Sequence, residues 1–225
     1  LTWLKVWKTL KQIKKETQVI GLLSFWLGEC ALIANYFARI YKLKQYTWIL
    51  GQDAKSGNKL YPLIRPKQDT LIALSDFIAN EFFKNYSIRP KYTVPVGIDI
   101  SLFDKEKPVR DIDILGVGSL TPLKRYALLI GLIKQLICHF PDIHVVICGK
   151  GPEKDRLQIQ INEARLQNNI TLLGEKSHSE VLVFMQRSKI FFHPSSYEGF
   201  GTVCAEALYA GAHVVSFCKP MNAEI

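Results

Sequence analysis

Short apolar runs alternate with amphipathic segments of helical length between residues 112 and 217, and this alternation most strongly constrains the fold. Apolar runs joined by helices are typical of strands that are buried on both faces of a parallel, doubly wound sheet. Such sheets bind ligands at the carboxyl ends of their strands. The predicted strands are 112–117, 143–148, 170–173, 190–193 and 213–217, and the predicted helices are 124–139, 152–167, 178–187 and 200–210.

The first half of the chain shows the same alternation less regularly. A charged stretch at 104–110 contains a proline and has no apolar periodicity, which is typical of a linker between domains. We therefore expect two Rossmann-like α/β domains, 1–107 and 108–225, and 225 residues are enough for both. The strands predicted in the first domain are 18–22, 46–50, 70–74 and 92–96, and its helices are 28–42 and 76–84.

Both ends of the chain lack the elements that would complete these domains. No helix start signal precedes Trp3, and no covering helix follows the last predicted strand before residues 221–225. We therefore expect a piece of a longer protein, truncated at both ends. Because strand edges and apolar faces would then be exposed, the isolated chain is expected to associate and to be inactive.

The basic charge is concentrated in the first half. The net charge is +9, and residues 1–107 hold 17 Lys and Arg against nine Asp and Glu, whereas residues 108–225 hold 12 against 11. The excess fits an anionic membrane surface, a nucleic acid or a phosphorylated substrate, and a general solubility bias explains it equally. Nucleic acid is the weakest of these, because no strand platform of interleaved aromatic and basic residues is visible.

The first helix carries an apolar stripe beside a lysine-rich face. Such a helix either covers a sheet or lies on anionic lipid, and the pattern leaves both interpretations open. The stripe comprises Trp3, Leu4, Val6, Trp7, Leu10 and Ile13, and the lysines are Lys5, Lys8, Lys11, Lys14 and Lys15.

Five scattered cysteines lack the spacing of a metal site, which predicts free thiols in a reducing, cytoplasmic environment. No metal ion is expected elsewhere, since Asp111 and Asp113 alone provide too few oxygen ligands for a cation. His178 and His193 are interpreted as capping or packing residues rather than as metal ligands or catalytic bases.

The most specific segment, 193–208, lies where a predicted strand leads into a helix. Gly199 and Gly201 flank the helix start and allow backbone N–H groups to approach an anion closely. Glu198 precedes the helix and Glu206 lies inside it, with seven residues between them. Two carboxylates placed in this way can accept hydrogen bonds from sugar hydroxyls.

This segment resembles the E-x7-E signature of retaining glycosyltransferases with the GT-B fold, specifically glycosyltransferase family four, also described as glycosyl transferases group 1. Residues 116–120 with Lys124 resemble the G-R-L…K element of that family, and 149–152 resemble its G-x-G-P turn. Residues 95–99 resemble its N-G-I-D segment. The order and spacing of these motifs make the resemblance specific.

The resemblance implies two Rossmann-like domains facing a cleft and a metal-independent hexosyltransferase without a cofactor. Its donor would be a nucleotide-sugar such as a UDP- or GDP-sugar, and its acceptor a glycan or a lipid-linked molecule. The implied setting is the synthesis of cell-envelope polysaccharide or lipopolysaccharide, in the cytoplasm or at the inner face of the membrane, without nucleic acid.

The resemblance also implies roles for individual residues. Glu206 would bind the ribose of the donor, Glu198 would contact the donor sugar, and Lys124 would neutralise the departing diphosphate. Lys124, Glu198 and Asp53 are the expected catalytic residues. The remaining expected donor-binding residues are Ser119, Arg125, Gly149, Gly151, Gly199, Phe200, Gly201 and Thr202.

Two positions depart from the family pattern. Ser119 stands where the family has Arg, so either Lys124 acts alone on the leaving group or Arg125 replaces the missing cation. Leu50 stands where many relatives have His, which leaves Asp53 and Lys55 as the polar residues of that loop. These departures give some support to a second hypothesis, a catalytically degenerate protein that binds a nucleotide-sugar or serves as a scaffold, beside the leading one of an active transferase.

Overall fold

The chain forms two compact α/β units with the boundary between Val96 and Gly97. The computed structural model describes residues 2–104, 106 and 108–218. Residue 1, two linker lysines and the segment 219–225, which includes the predicted chain end at 221–225, lie outside the described residues. The boundary precedes the predicted linker because Phe103 packs against the core of the second unit. Asp104 also exchanges two backbone hydrogen bonds with the Gln186 side chain of that unit.

The first unit contains a parallel sheet of four strands in the order β1-β2-β3-β4. The strands are β1 (Gly21–Phe25), β2 (Lys44–Ile49), β3 (Leu71–Ala73) and β4 (Tyr92–Thr93), and the helices are α1 (Thr2–Glu16), α2 (Glu29–Tyr41), α3 (Tyr61–Ile64) and α4 (Asp76–Tyr86). The short helix α3 was not predicted.

All four strands of this unit differ from their predicted bounds, and β1 and β4 differ most, by three residues at one end or both. β1 begins later than expected because α1 continues to Glu16, and the Thr17 N–H still donates to the Ile13 carbonyl. β4 ends early, at Thr93, and Pro95 follows shortly after it. Proline has no N–H to donate to a neighbouring strand, so it does not extend the ladder.

The second unit contains a parallel sheet of five strands in the order β7-β6-β5-β8-β9. The strands are β5 (Ile112–Val117), β6 (Val145–Cys148), β7 (Ile170–Gly174), β8 (Ser188–His193) and β9 (His213–Ser216), and the helices are α5 (Tyr126–Leu136), α6 (Lys154–Glu163), α7 (His178–Gln186) and α8 (Thr202–Tyr209). Ser177 caps α7 in a capping box with Glu180.

Alternate residues of these strands enter two separate cores, one on each face of the sheet. Ile114 and Phe192 pack with α5 and α6, whereas Leu115 and Phe191 pack with α7 and α8. Successive strand side chains point to opposite faces, so a strand that is apolar at every position is buried on both. The predicted doubly wound architecture is therefore confirmed.

Three helices of the second unit, α5, α6 and α8, start later than predicted, and α5 and α8 begin after a left-handed residue. The chain makes a short 3-10 turn at Pro122–Lys124, and Arg125 (φ 50°) then separates this turn from α5. Gly201 (φ 77°) precedes α8 and prevents the helix from including Phe200. Both left-handed residues lie in loops at the carboxyl edge of the sheet.

The apolar stripe of the first helix is partly covered by α2 and partly exposed, so its two interpretations stay predictions. α1 packs on α2, with the Trp7 and Phe37 rings edge to face at 5.1 Å and Lys14 over the Tyr41 ring at 5.0 Å. No residue of α1 is buried. Among the described residues, no helix combines the length and apolarity needed to cross a bilayer.

Candidate active site

The two charged residues Lys124 and Glu198, predicted to act on the donor, lie in the loops at which the strand order of the sheet reverses. From β5 the chain proceeds outward to β6 and β7, and it then returns to the other side of β5 with β8 and β9. The loops that follow β5 and β8 therefore leave the sheet in opposite directions and open a crevice between them, which is where such folds bind ligands. Lys124 lies in the first of these loops and Glu198 in the second.

The side chains of Lys124 and Glu198 meet in this crevice as an ion pair. Each is largely buried, with 16% and 17% of the side chain exposed. The Oε1 atom of Glu198 also accepts a hydrogen bond from His193 Nε2 at 2.8 Å. Burial raises the pKa of the Glu198 carboxyl, but the hydrogen bonds from His193 and Lys124 outweigh burial and lower it to about 2. Glu198 is therefore a carboxylate at neutral pH.

Arg125 holds the loop that carries Glu198. Its Nε donates to the Pro194 carbonyl at 2.7 Å and its Nη2 to the Ser195 carbonyl at 3.3 Å. The guanidinium also lies 5.4 Å from the Phe217 ring centroid. These contacts give Arg125 a positioning role in this loop, and the alternative that it replaces the family Arg at the diphosphate stays a prediction.

Two glycine turns pack against each other next to this crevice. A Cβ atom on Gly149 would lie 1.9 Å from the Gly118 carbonyl oxygen, and one on Gly151 would lie 2.3 Å from that of Leu120. Only glycine permits these approaches. Beside the turns is a cavity of about 310 Å³, lined by Val117, Gly118, Ser119, Cys148, Gly149, Lys150, Glu175, Lys176 and Val181. Two of the predicted donor-binding residues, Ser119 and Gly149, thus line this cavity.

Glu206 lies in α8, and its carboxylate is already engaged. His178 Nε2, from the start of α7, lies 2.8 Å from Glu206 Oε1. The interpretation of His178 and His193 as capping or packing residues is thus incomplete, because each pairs with one of the two signature glutamates. Nothing in the local sequence indicates the pairing of His178 with Glu206, since 28 residues separate them.

The other residues predicted near α8 differ in exposure. The Phe200 side chain is buried, so only its backbone can contribute to donor binding. Gly199 and Thr202 are partly exposed, and Gly201 is buried in the left-handed turn that precedes the helix. The backbone N–H groups of the first turn of α8 accordingly lie next to the crevice, where the helix dipole favours an anion.

Asp53, the catalytic residue expected in the first unit, is buried. Its Oδ2 accepts a hydrogen bond from the Leu50 N–H at 2.8 Å. Burial raises the pKa of the Asp53 carboxyl, and backbone hydrogen bonds from Leu50 and Leu27 act in the opposite direction. Asp53 thus holds its own loop together, and its geometry does not support the expected catalytic role.

Asp111 and Asp113, which follow the linker, each form an ion pair with a basic side chain. Asp111 pairs with Arg187, and Asp113 pairs with Lys189 at 2.7 Å. Within the described part of the chain, no group of three or more His, Cys, Asp or Glu side chains is arranged to hold a metal ion. All five cysteines are free, as predicted.

Comparison with known proteins defines the class first. The structure of HepE (Alr3699) from Anabaena in complex with UDP and glucose is similar, with a TM-score of 0.71 and 22% identity over 94% of this chain and 62% of that one. A glycosyltransferase structure from Rickettsia africae is also similar, with a TM-score of 0.75 and 20% identity over 95% and 62%. The predicted GT-B class of fold is therefore confirmed.

Sequence comparison then identifies the family. Residues 98–225 match the family described as glycosyl transferases group 1, and the chain belongs to that family. It is 30% identical over 103 residues to the 2-deoxystreptamine N-acetyl-D-glucosaminyltransferase of Niallia circulans, which covers 46% of this chain and 26% of that protein. The chain spans only about a quarter of the length of this curated relative.

Proposed function

We propose that this chain belongs to a retaining glycosyltransferase that moves a sugar from a UDP-sugar to a glycan or lipid-linked acceptor. The observation that carries the proposal is the Lys124–Glu198 ion pair in the crevice between the loops that follow β5 and β8. Family membership supports it, and the similar HepE structure contains UDP and glucose.

The crevice matches the charge that sugar transfer develops. When the bond between the anomeric carbon and the diphosphate oxygen breaks, the departing nucleoside diphosphate takes the electron pair and gains negative charge. Lys124 provides a cation, and the first turn of α8 provides N–H groups, so both stabilise the leaving group without a metal ion. Glu198 and Glu206 provide carboxylates for hydroxyls of the donor sugar and ribose.

The nucleoside itself is proposed to bind in the cavity beside the glycine turns. Its volume of about 310 Å³ is at the lower end of the range for small-molecule sites. The exposed Ser119 side chain lines this cavity at the position of the missing family Arg. Because a serine hydroxyl is neutral, Lys124 supplies the cationic contact to the diphosphate in this proposal.

The test is turnover by the full-length protein with UDP-glucose, UDP-N-acetylglucosamine, UDP-N-acetylgalactosamine and GDP-mannose. Release of UDP is expected with one of the UDP-sugars, with little release from GDP-mannose. Lys124→Ala is the control, and its release of UDP is expected to be much slower. Tight binding of a nucleotide without release from any donor would instead favour the catalytically degenerate binding protein.

The acceptor is proposed to be a hydroxyl of a cell-envelope glycan, free or linked to a polyprenyl diphosphate, in the cytoplasm. The chain is 32% identical over 162 residues to a Campylobacter jejuni transferase that acts on a diphospho-undecaprenol-linked sugar. This match covers 69% of this chain and 43% of that protein. A lipid-linked acceptor would require the protein to work at a membrane surface.

We further propose that α1 lies against an anionic lipid surface. Leu4 and Trp3 are 67% and 41% exposed, and Ile40 of α2, which lines the same cavity, is 62% exposed. An apolar cavity of about 300 Å³ separates the two helices along this edge. The lysines of α1 complement anionic headgroups while the apolar side chains enter the interface. These lysines are Lys5, Lys8, Lys11, Lys14 and Lys15.

Vesicle sedimentation tests this surface. Binding to vesicles that contain phosphatidylglycerol is expected, with loss on raising the salt concentration and in a Leu4→Asp, Lys8→Glu, Lys11→Glu variant. The control variant, Lys134→Glu with Lys154→Glu, reverses two lysine charges in the second unit and should bind the vesicles normally. Equal binding to neutral vesicles, or a dimer that forms through α1 without lipid, would contradict the proposal.

A further inference from the structure

One carboxylate oxygen of Glu198 has two donors with very different surroundings. Oε1 accepts from Lys124 Nζ and from His193 Nε2. The Lys124 side chain is 16% exposed, whereas the His193 side chain is 1% exposed. Solvent and ligands can therefore reach the lysine, and they cannot reach the histidine.

The imidazole of His193 is fixed by the sheet rather than by the loop. His193 is the last residue of β8, and its neighbour in the ladder is Ser216 of β9. Its ring lies nearly parallel to that of Phe191, with centroids 6.1 Å apart. Its Nδ1 is buried and has no hydrogen-bond partner among the described residues. Because a carboxylate only accepts hydrogen bonds, the hydrogen of the ring must lie on Nε2.

Lys124 has the opposite character. It lies at the end of a short 3-10 turn, and its ammonium is carried on a flexible four-carbon stem. If Lys124 neutralises the leaving diphosphate, its ammonium must turn at least partly away from Glu198. Among the described residues, the carboxylate would then be a partly buried charge with His193 as its one remaining side-chain donor, and burying an unpaired charge is costly.

We propose that His193 is a positioning residue, which retains the Glu198 carboxylate in place and ionised while Lys124 turns towards the phosphates of the donor. The inference rests on the proposed function, because it requires Lys124 and Glu198 to act on a nucleotide-sugar. His193 touches no substrate in this role and acts only through Glu198.

Two substitutions separate this role from simple packing. His193→Leu fills the space without a donor, whereas His193→Gln keeps an N–H donor the same number of bonds from Cα. His193→Leu is expected to lower kcat about 10- to 100-fold, the loss that corresponds to one hydrogen bond to a charged group. UDP affinity should change less than about twofold, since loss of one bond outside the nucleotide site leaves nucleotide contacts intact. His193→Gln should restore most of kcat.

The pH profile provides a second readout. Loss of the His193 bond raises the pKa of Glu198 from about 2, so the acid limb of kcat should move to higher pH in His193→Leu and return in His193→Gln. Ser188→Ala is the matched control. Ser188 is fully buried at the other end of β8, where its hydroxyl donates to the Phe184 carbonyl. This control should lose stability without a change in the acid limb.

The outcomes distinguish the inference from the proposed function. The inference is overturned if His193→Leu keeps the wild-type kcat and the wild-type acid limb. It is also overturned if His193→Leu and His193→Gln lose the same kcat and the acid limb does not move. If the wild-type protein turns over no UDP-sugar, the proposed function fails. In that case, titration of the Glu198 carboxyl carbon by NMR decides whether His193 holds this carboxylate. An unchanged Glu198 pKa in His193→Leu would then overturn the positioning role of His193.

Discussion

His178 Nε2 lies 2.8 Å from Glu206 Oε1, so the carboxylate that is expected to bind ribose is held between two helices before any donor arrives. Glu206 is 13% exposed at its side chain and His178 is 56% exposed. A carboxylate offers about four lone-pair sites, and one imidazole uses only one of them. Glu206 can therefore keep this contact and still accept hydrogen bonds from two ribose hydroxyls.

Glu206→Ala is expected to weaken UDP binding by about 1.5–3 kcal/mol, because a charge-assisted hydrogen bond to ribose is lost. His178→Ala should weaken it by less than about 1 kcal/mol, since the histidine is exposed and only orients the carboxylate. Isothermal titration calorimetry with UDP measures both. Unchanged affinity in Glu206→Ala would contradict the ribose assignment.

Lys124→Ala is expected to lower turnover more than it lowers donor affinity. The lysine ammonium is most strongly attracted when the leaving diphosphate carries its full charge, so its loss mainly raises the barrier. Steady-state kinetics with the active UDP-sugar give kcat and KM separately. A variant that changes only KM would show that Lys124 binds the ground-state phosphates equally well.

Arg125→Ala is expected to destabilise the second unit by about 1–3 kcal/mol, because the Pro194 and Ser195 carbonyls lose their guanidinium donors. Arg125→Gly should lose the same bonds but relieve the left-handed backbone at φ 50°. Urea unfolding measures both variants. A large loss of UDP affinity at unchanged stability would instead indicate that Arg125 contacts the diphosphate.

The ionised Glu198 is expected to stabilise the fold only above acid pH. Its folded-state pKa is lowered from 4.5 to about 2, so its contribution is complete above pH 4.5 and is lost as the pH falls through about 2. Linkage gives this contribution an order of about 3 kcal/mol at neutral pH. Urea unfolding of wild type and Glu198→Gln should differ most near neutral pH and converge in acid. A difference that is constant with pH would contradict the assignment.

Gly149→Ala is expected to destabilise the protein by more than about 3 kcal/mol or to prevent folding, because the added Cβ would lie 1.9 Å from the Gly118 carbonyl oxygen. Gly131→Ala is the control, since a Cβ there meets no atom within 4 Å and the residue lies inside α5. The control should gain up to about 1 kcal/mol from better helix propensity. Thermal melts and soluble yield measure both, and equal effects would show that the Gly149 turn tolerates a side chain.

The sequence by itself determined the two parallel sheets, most of their strands and the place of the signature glutamates. These features depend on neighbours in the chain. Apolar runs favour strands that are buried on both faces, as Ile114 and Leu115 show by entering opposite cores. The sequence also indicated the glycine turn at 149–152, but it did not indicate which carbonyl groups Gly149 and Gly151 approach.

Only the tertiary structure decided which side chains meet. Lys124 and Glu198 are 74 residues apart, and they pair because the sheet places β8 directly beside β5. Arg125 reaches the Pro194 carbonyl for the same reason. Asp53 was expected among the catalytic residues, but the fold of its loop buries it. Periodicity specifies which face of an element is apolar, but strand order specifies which loops become neighbours, and strand order is a property of the whole chain.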